Sequence, residues 1–245
     1  MKLSLIIPCY NEAANLPLLL DRCASLGDLA DMEVILVDNG STDNSMKVLQ
    51  GLLPKYPHCR SIRVPINQGY GFGILSGLKA AKGNLLAWTH ADMQTDPKDI
   101  LRGLDFFQLY GNRIYVKGRR IKRPLADVIF TIGMSVFETA LLRTRLWDIN
   151  AQPNMFSRSF FESWVNPPYD FSLDLYVYFT ARNQGLQVYR FPVGFGERAH
   201  GVSNWNVNWV GKWKFIRRTI DFSFELKKRL SQWSSLLIGA TQSKN

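Results

Sequence analysis

Cysteine is scarce in this sequence, and internal repeats and low-complexity segments are absent. The 245 residues contain three cysteines, Cys9, Cys23 and Cys59. Their odd number and wide spacing argue against a disulfide framework or a zinc cluster, and favour a reducing compartment.

Long uncharged apolar runs are also lacking. The apolar run that follows Met1 and Lys2 is too short for the core of a signal peptide, so we expect no cleaved leader. The longest apolar stretch, residues 125–142, contains Asp127 and Glu138. Two acidic side chains within such a stretch predict a buried helix rather than a membrane span.

Acidic residues are too few to balance the basic ones, and the imbalance is uneven. The net charge is +10, with 9 Lys and Arg against 10 Asp and Glu in residues 1–100, and 21 against 10 in residues 101–245. A neutral first part joined to a basic second part predicts a neutral scaffold that carries a surface for anions. The 46% hydrophobic content is enough for a large core and excludes a disordered chain.

The first hundred residues alternate short apolar runs with helical patterns. The apolar runs are Leu3–Ile7, Val34–Val37, Ile62–Ile66 and Leu85–Trp88. The helical patterns cover about 12–26, 42–52, 71–82 and 97–110. This alternation predicts an α/β fold with a mostly parallel, doubly wound sheet.

Polar residues follow each of the four predicted strands, in segments 8–12, 38–43, 67–71 and 90–94. Open parallel sheets bind ligands beyond the carboxyl ends of their strands, where helix N-termini suit phosphate groups. One such loop alone is ordinarily a helix cap or a turn, but four at one edge predict a ligand site. The P-loop signature is absent, and the first strand is not followed by the Gly-x-Gly-x-x-Gly of dinucleotide-binding proteins.

Six segments, taken in order, resemble family 2 glycosyltransferases of the GT-A fold. They are LSLIIPCYNEAANL (3–16), VILVDNGSTDNS (34–45), NQGYGFGILSGLKAAKGNLLAWTHADMQTDP (67–97), VKGRR (116–120), DINAQPNMFSR (148–158) and GFGERAHGVSNW (194–205). The pattern is most similar to the subgroup that makes polyprenyl-phosphate sugars, such as dolichyl-phosphate mannosyltransferase. The resemblance covers about residues 1–205 and implies one GT-A domain there.

The resemblance implies a nucleotide-sugar site in the loops after the strands. Residues implied to bind the nucleotide are Pro8, Tyr10, Glu12, Asp38 and Asp92. Residues implied to bind the phosphates are Arg120, Arg123, Arg198 and Ser203. Arg120 and Asp92 are also implied to be catalytic. A cation such as Arg120 stabilises the charge that develops on a departing diphosphate, and Asp92 is implied to hold a metal ion that does the same.

The family's Asp-x-Asp-x-Gln metal motif is altered in this chain. Asp92 and Gln94 match its second and third ligands, and His90 stands at the first. Hard oxygen ligands suit Mn²⁺ or Mg²⁺, whereas an imidazole suits Mn²⁺ better. His90 is therefore either a metal ligand or a capping or hydrogen-bonding residue. Asn204 follows Ser203 where the family often has a lysine, which weakens the case for a polyprenyl-phosphate acceptor.

The need for a general base depends on the acceptor. A sugar hydroxyl needs one in an inverting transfer, whereas a phosphate is already ionised. The family pattern implies Asp174 as this catalytic residue, at the start of a helix in residues 170–185, with Asp170 as the alternative. Either acid can equally serve to stabilise the helix N-terminus.

The last forty residues, 206–245, predict an amphipathic helix and a frayed tail. A helical stripe is formed by Trp209, Trp213, Ile216, Ile220 and Phe224. Residues 212–229 carry seven Lys and Arg against two acids. Tryptophans beside cations favour a helix in the headgroup region of an anionic membrane, while the alternative is a helix docked on the domain's own core.

Together these features predict an inverting glycosyltransferase, peripheral on the cytoplasmic face of the membrane, in cell envelope polysaccharide biosynthesis. It is expected to take a nucleotide-diphosphate sugar and deliver the sugar to a polyprenyl phosphate or another lipid-linked acceptor. One alternative is transfer to the hydroxyl of a growing polysaccharide or oligosaccharide. A non-catalytic nucleic-acid-binding protein is less consistent, because no known reader module is present and the acids after the strands repel phosphate backbones.

Overall fold

The computed structural model describes residues 2–29, 31–200, 213 and 216–229. Its strands are β1 (Leu3–Cys9), β2 (Met32–Asn39), β3 (Cys59–Val64), β4 (Leu85–Trp88), β5 (Ile114–Ile121), β6 (Asn154–Ser157) and β7 (Gln187–Gly194). Its helices are α1 (Leu16–Ala24), α2 (Leu26–Leu29), α3 (Ser45–Leu52), α4 (Tyr70–Ala80), α5 (Asp99–Tyr110), α6 (Leu125–Leu142), α7 (Arg158–Glu162) and α8 (Leu173–Asn183), with a 3₁₀ turn at Leu53–Lys55. Residues 216–229 are also helical and are called the C-terminal helix below.

The seven strands form one sheet in the order β3-β2-β1-β4-β6-β5-β7. The first four strands are parallel, as predicted, and β6 runs antiparallel to both of its neighbours, β4 and β5. Strands β5 and β7 are parallel to each other. The carboxyl ends of β1, β2 and β4 therefore lie at one edge of the sheet, and the loops that follow them meet there.

Hydrophobic layers cover both faces of the sheet. On one face, α4 and α8 contribute buried side chains such as Ile74 and Phe179. On the other face, α1 and α5 contribute Leu19 and Phe107. A sheet covered on both faces explains why the central strands appear in the sequence as short apolar runs rather than as an alternating pattern.

Helix α6 corrects one prediction from the sequence. Residues 125–142 are helical, but the prediction of a buried helix is wrong, because only 17% of this helix is buried. The acids that suggested burial do not decide it: Glu138 faces inward with Ser135, while apolar residues such as Leu125 (73% exposed) face outward. By length and composition α6 is apolar enough to cross a membrane, a property that core helices and signal sequences share.

The C-terminal helix packs against the domain through Phe222 and Leu226, which are buried in the same cluster as α4 and α8. The predicted stripe is only partly covered, because Trp213 is 64% exposed and Phe224 is half-exposed. Part of this region therefore docks on the core, the alternative left open from the sequence, and part of its aromatic surface stays outside. Trp205, Trp209 and Trp233 lie outside the described residues.

Candidate functional site

The loops after β1 and β2 are bonded to each other at the carboxyl edge of the sheet. Asn11 adopts a positive φ of 56°, and its side-chain oxygen accepts a hydrogen bond from the Thr42 backbone N–H at 2.8 Å. The Asn11 N–H donates to the Ser41 hydroxyl at 3.1 Å. These bonds fix the segment that contains Tyr10 and Glu12 against the segment that follows Asp38.

Asp38 lies at the end of β2 and is only 1% exposed. Its Oδ1 accepts a hydrogen bond from the Ser41 N–H at 3.0 Å, while Oδ2 lies 3.8 Å from Nε of Arg63 and has no hydrogen-bond partner among the described residues. A buried carboxylate oxygen without a donor is costly, so Oδ2 is suited to an N–H of a bound base. The turn that follows requires Gly40, whose φ is +73° and whose Cβ would lie 2.4 Å from the Asn67 nitrogen.

Glu12 is half-buried between the first loop and the loop after β4. Its carboxylate accepts a hydrogen bond from the Asn15 amide, and its backbone N–H donates to the Ser45 hydroxyl. Burial raises the pKa of Glu12, and the nearby charge of Asp92 adds to the rise while Arg198 opposes it. Glu12, Asp92 and Arg198 therefore act on one another electrostatically, although they come from distant parts of the sequence. Pro8 is half-buried within β1, and the Tyr10 side chain is partly exposed just beyond it.

Asp92 joins the altered metal motif to the segment after β7. Its Oδ1 accepts a hydrogen bond from the Gln94 N–H at 3.1 Å, and its Oδ2 pairs with the Arg198 guanidinium at 3.0 Å. The Gln94 side-chain amide donates to the carbonyl of Gly196 at 3.2 Å, and the Gly196 N–H donates back to the Gln94 carbonyl at 2.9 Å. The structure thus brings together two segments that the sequence separates by about a hundred residues. Ser203, the other implied residue of the later segment, lies outside the described residues.

The side chains of Asp92, Gln94 and His90 are the ones that the family motif assigns to a divalent metal. Among residues 2–29, 31–200, 213 and 216–229 no group of three or more His, Cys, Asp or Glu side chains is placed to hold an ion. Mg²⁺ and similar ions are commonly held by one or two carboxylates together with substrate phosphates rather than by a protein cage. Oδ2 of Asp92 already pairs with a cation, the Arg198 guanidinium. Asp92 therefore offers one carboxylate for such a shared ion, while the Gln94 amide is bonded to Gly196 and the His90 ring lies beside Tyr70.

His90 lies beside the ring of Tyr70, with the ring centroids 5.7 Å apart. Tyr70 in turn stacks on Phe171 at 4.6 Å. Through Tyr70, these contacts connect the loop after β4, which contains His90, to the segment that leads into α8. Burial raises the pKa of Asp174, and the electrostatic interaction with His90 is one of the influences that oppose this rise.

Arg120 and Arg123 do not lie free in this structure, because both approach Asp148. Nε of Arg120 donates to Asp148 Oδ1 at 2.8 Å, Nη1 of Arg123 lies 3.8 Å from the same oxygen, and Nη2 of Arg190 lies 3.6 Å from Oδ2. Burial opposes ionisation of Asp148, but Arg120 lowers the pKa of this carboxyl below its usual range. Both Arg120 and Arg123 also stack near Phe195, which precedes the segment bound to Gln94.

Asp148 and Arg190 received no role from the sequence. Asp148 stands in one of the six family-like segments, and Arg190 stands in none. Their convergence with Arg120 and Arg123 gives three guanidinium groups around one carboxylate, an excess of positive charge beside the site. From the sequence, the resemblance singled out Arg120 and Arg123, and only the basic count of the second half hinted at Arg190.

Asp174 is 2% exposed and lies beneath the site rather than at its surface. Its Oδ1 accepts hydrogen bonds from the amides of Gln152 at 2.9 Å and Asn154 at 3.1 Å. Burial raises the pKa of Asp174, while Lys117 and His90 oppose the rise. The alternative acid, Asp170, is more accessible and lies 3.5 Å from Arg218 of the C-terminal helix.

Lys117 is a buried cation that the sequence did not single out. Its Nζ donates to the carbonyls of Ile149 at 2.6 Å and Ala151 at 3.0 Å. Burial, with a further contribution from Arg190, lowers the pKa of Lys117 to about 7. Lys117 and Asp174 are thus two buried ionisable groups that act on each other electrostatically under the loops. Only the family-like segment VKGRR hinted at Lys117.

Comparison with known proteins also finds glycosyltransferases. A family model described as Glycosyl transferase family 2 matches residues 4–165. Undecaprenyl-phosphate 4-deoxy-4-formamido-L-arabinose transferases from Yersinia enterocolitica and Pseudomonas paraeruginosa are 37% and 40% identical over 105 residues, which are 41% and 40% of this chain. The matched region is 32% and 30% of those proteins, so the chain spans about a third of the length of the curated relatives it matches.

Solved structures match over most of the chain. The glucosyl-3-phosphoglycerate synthase of Mycobacterium tuberculosis with Mn²⁺, UDP-glucose and phosphoglyceric acid has a TM-score of 0.70 at 19% identity, over 92% of this chain and 79% of that one. The mannosyltransferase of Pyrobaculum calidifontis with GDP-Man and Mn²⁺ has a TM-score of 0.60 at 19% identity, over 81% and 57%. At this identity the likeness concerns the fold, and it confirms the expected GT-A architecture.

Proposed function

This chain belongs to glycosyl transferase family 2, and on that basis we propose that it is an inverting glycosyltransferase. It transfers a sugar from a nucleotide-diphosphate sugar to a polyprenyl phosphate or another lipid-linked acceptor. The observation that carries the proposal is the pairing of Arg198 with Asp92, an acid and a cation from distant segments, at the sheet edge where Asp38 lies at the end of β2. This combination suits a base, a diphosphate and its counter-ion.

The donor binds across the first loops in this proposal. Asp38 accepts a hydrogen bond from the base, and Pro8, Tyr10 and Glu12 line the base and ribose. Asp92, Gln94 and His90 hold Mn²⁺ or Mg²⁺, which when bound supplies Lewis-acid stabilisation of the departing nucleoside diphosphate. Mn²⁺ and Mg²⁺ are named for structural neighbours of this chain, which supports the choice of ion.

The cations bind the phosphates. Arg198, with Ser203, closes over the diphosphate from the segment after β7, exchanging Asp92 for a phosphate oxygen. Arg120 and Arg123 face the same region from behind Phe195 and add fixed positive charge where negative charge develops. Because their guanidinium groups are already oriented by Asp148, little reorganisation is needed when the anion binds.

The acceptor phosphate needs no proton removed before it attacks the anomeric carbon. The burial of Asp174 is consistent with such an acceptor, because a carboxylate enclosed by Gln152 and Asn154 is poorly placed to reach an incoming hydroxyl. Asp174 then acts from below the site, through its electrostatic interaction with Lys117. For the alternative, a polysaccharide or oligosaccharide hydroxyl, the base is Asp174 after a movement, or the more accessible Asp170.

The protein works at an anionic membrane surface on the cytoplasmic face in this proposal. Its membrane-facing surface is called the apolar face below. It consists of the exposed apolar residues Leu125, Ile129, Ile132 and Val136 of α6, together with exposed Trp213 and Phe224. Basic residues of the C-terminal helix, including Arg217 and Lys227, add attraction to anionic headgroups. In this proposal residues 1–205 are the catalytic part and residues 206–245 are a membrane-associated part. Helix α6 lies within the catalytic part and also faces the membrane.

The test is a transfer assay with a panel of labelled nucleotide sugars, the purified protein, Mn²⁺ and membranes, followed by organic extraction. We expect label in the organic phase as a lipid that mild acid hydrolyses, and none when the metal is chelated. Label found only in polysaccharide refutes the lipid acceptor and favours the hydroxyl alternative. Absence of nucleoside diphosphate binding, together with salt-sensitive binding of nucleic acid, refutes the transferase.

A further inference from the structure

A groove of about 450 Å³ runs between one side of α6 and the segment that returns from it. Val136 and Ala140 of α6 form one wall, and Leu146 and Trp147 form the other, with Arg145 beside them. The volume lies within the range of roughly 300–1,000 Å³ that is usual for small-molecule sites. None of these residues belongs to the nucleotide-sugar site described above.

The hydroxyl groups on the floor of the groove are engaged in holding the returning segment. The Thr139 hydroxyl donates to the Leu146 carbonyl at 3.0 Å and accepts the Leu146 N–H at 3.1 Å. The Ser135 hydroxyl accepts the Asp148 N–H at 3.1 Å. Since these polar atoms have partners, the surface left for a ligand is provided mainly by aliphatic and aromatic carbons.

The floor of the groove adjoins the arginine cluster. Ser135 lines the groove and is bonded to Asp148, the residue on which Arg120, Arg123 and Arg190 converge. Three guanidinium groups against one carboxylate leave an excess of positive charge at this point. An apolar channel that adjoins such an excess matches a molecule with a hydrocarbon chain and an anionic head.

The groove is also continuous with the apolar face. Val136 is well exposed on α6 and lines the groove, so a chain lying in the groove can pass to the outer surface of α6 without crossing a polar region. A lipid is therefore a better match than a soluble metabolite of the same charge.

We propose that this groove binds the hydrocarbon chain of the acceptor, a polyprenyl phosphate, next to its phosphate. The proposal rests on the proposed function, since it presumes transfer to a lipid phosphate, and it names the place on this chain that selects for the lipid. The groove then holds the acceptor's chain beside the arginine cluster, which in the proposed function also faces the donor's phosphates. The groove itself lies outside the loops that hold the nucleotide.

The test is the variant Ala140→Trp, which places a large ring in the groove. The matched control is Leu109→Trp, at an exposed position of α5. Transfer is measured with a long polyprenyl phosphate and with a short, water-soluble isoprenyl phosphate, and far-UV circular dichroism checks folding. We expect Ala140→Trp to raise KM for the long acceptor by about tenfold or more, a clear loss of binding free energy. KM for the nucleotide sugar and its slow hydrolysis without acceptor are expected to stay at the control's values.

The outcomes separate the groove from the function. If the unchanged protein transfers to the long acceptor and Ala140→Trp does so with the control's KM, the groove is overturned and the function stands. If the unchanged protein transfers to no polyprenyl phosphate, both are overturned.

A second measurement uses the unchanged protein and so does not depend on the folding of a variant. An isoprenyl phosphate that carries a photoreactive group on its chain is irradiated with the protein, and the labelled peptides are identified by mass spectrometry. Labels within 135–140 or 145–147 support the proposal, and labels confined to other segments contradict it.

Discussion

At the scale of single residues, Asp92 is the acid on which the site depends. Its carboxylate accepts a hydrogen bond from the Gln94 backbone N–H and pairs with the Arg198 guanidinium. A loss of its charge therefore weakens the contacts to both segments. We expect Asp92→Asn, which keeps the shape and removes the charge, to lower the rate of transfer by about 10²–10³-fold, the usual cost of losing one preorganised electrostatic contact. The measurement is release of nucleoside diphosphate, with exposed Asp105→Asn on α5 as the control. An Asp92→Asn protein as active as the control contradicts the assignment.

Asp148 gives a prediction about stability. It is buried among three arginines, and removal of one partner from a buried ion pair leaves charge uncompensated. We expect Asp148→Asn to lower the free energy of unfolding by about 3–5 kcal/mol, measured by urea denaturation. The matched control is Asp221→Asn, whose pair with Arg217 is solvent-exposed, and such pairs are worth about 0–1 kcal/mol. Equal losses in the two variants would show that Asp148 does not balance the cluster.

The sequence predicted the residues that follow strands better than those that meet through space. Asp38 and Asp92 were singled out because each lies in a polar segment that follows an apolar run and matches the family pattern. Asp148, Arg190 and Lys117 could not be found in this way, because their importance comes from convergence of β5, β7 and the segment before β6. The bonds of Arg120 to Asp148 were likewise invisible, since no local pattern links residues 28 positions apart.

At the scale of elements, the contact between α6 and the C-terminal helix depends on pH. The Ser223 hydroxyl donates to Glu138 Oε1 at 2.7 Å, and Oε2 has no hydrogen-bond partner among the described residues. Burial raises the pKa of Glu138 to about 7, partly opposed by the Ser223 bond. The folded state therefore keeps a proton between pH 4.5 and about 7 that the unfolded chain has lost, so stability from this group falls as pH rises through that window.

We accordingly expect Glu138→Gln to be more stable than the parent at pH 8 and close to it at pH 4. The difference is on the order of 3 kcal/mol, from about 1.4 kcal/mol for each unit of the pKa shift. Thermal or urea unfolding across this pH range measures it, with exposed Glu225→Gln on the C-terminal helix as the control. Stability curves of Glu138→Gln and its parent that run parallel with pH would contradict the buried titration.

The elements were predicted where local pattern and burial agree. Runs Leu3–Ile7, Val34–Val37 and Leu85–Trp88 fall within β1, β2 and β4. The third strand was displaced: β3 is Cys59–Val64, and Ile66 of the predicted run is exposed, because an edge strand alternates in burial and its apolar residues do not cluster. Helix α1 begins at Leu16 rather than near residue 12, since Asn11 has a positive φ and the loop is bonded to Asp43 first.

At the scale of the whole molecule, charge and apolar surface divide the protein, in the proposed function, into a nucleotide edge and a membrane side. The first hundred residues are nearly neutral, while part of the basic excess of the second half lies in the arginine cluster and the C-terminal helix. Helix α6 has the inverse of the usual pattern, with polar Ser135 and Glu138 inside and apolar residues outside. In water such a surface of large apolar residues is a liability, and it is suited to a lipid interface.

We therefore expect binding to vesicles of anionic phospholipid that depends on the apolar face. Ile129→Asp combined with Ile132→Asp places two charges on exposed positions of α6, which removes apolar burial and adds repulsion from the headgroups. We expect the vesicle partition coefficient in co-sedimentation to fall by about tenfold or more. Leu109→Asp on α5, which is more exposed than either isoleucine and lies away from the apolar face, is the control and is expected to bind as the parent does. Added salt is expected to weaken binding of the parent, because screening reduces the attraction of the basic residues. If the double variant binds as tightly as the control, α6 does not contact the membrane, and the apolar face must be covered in another way.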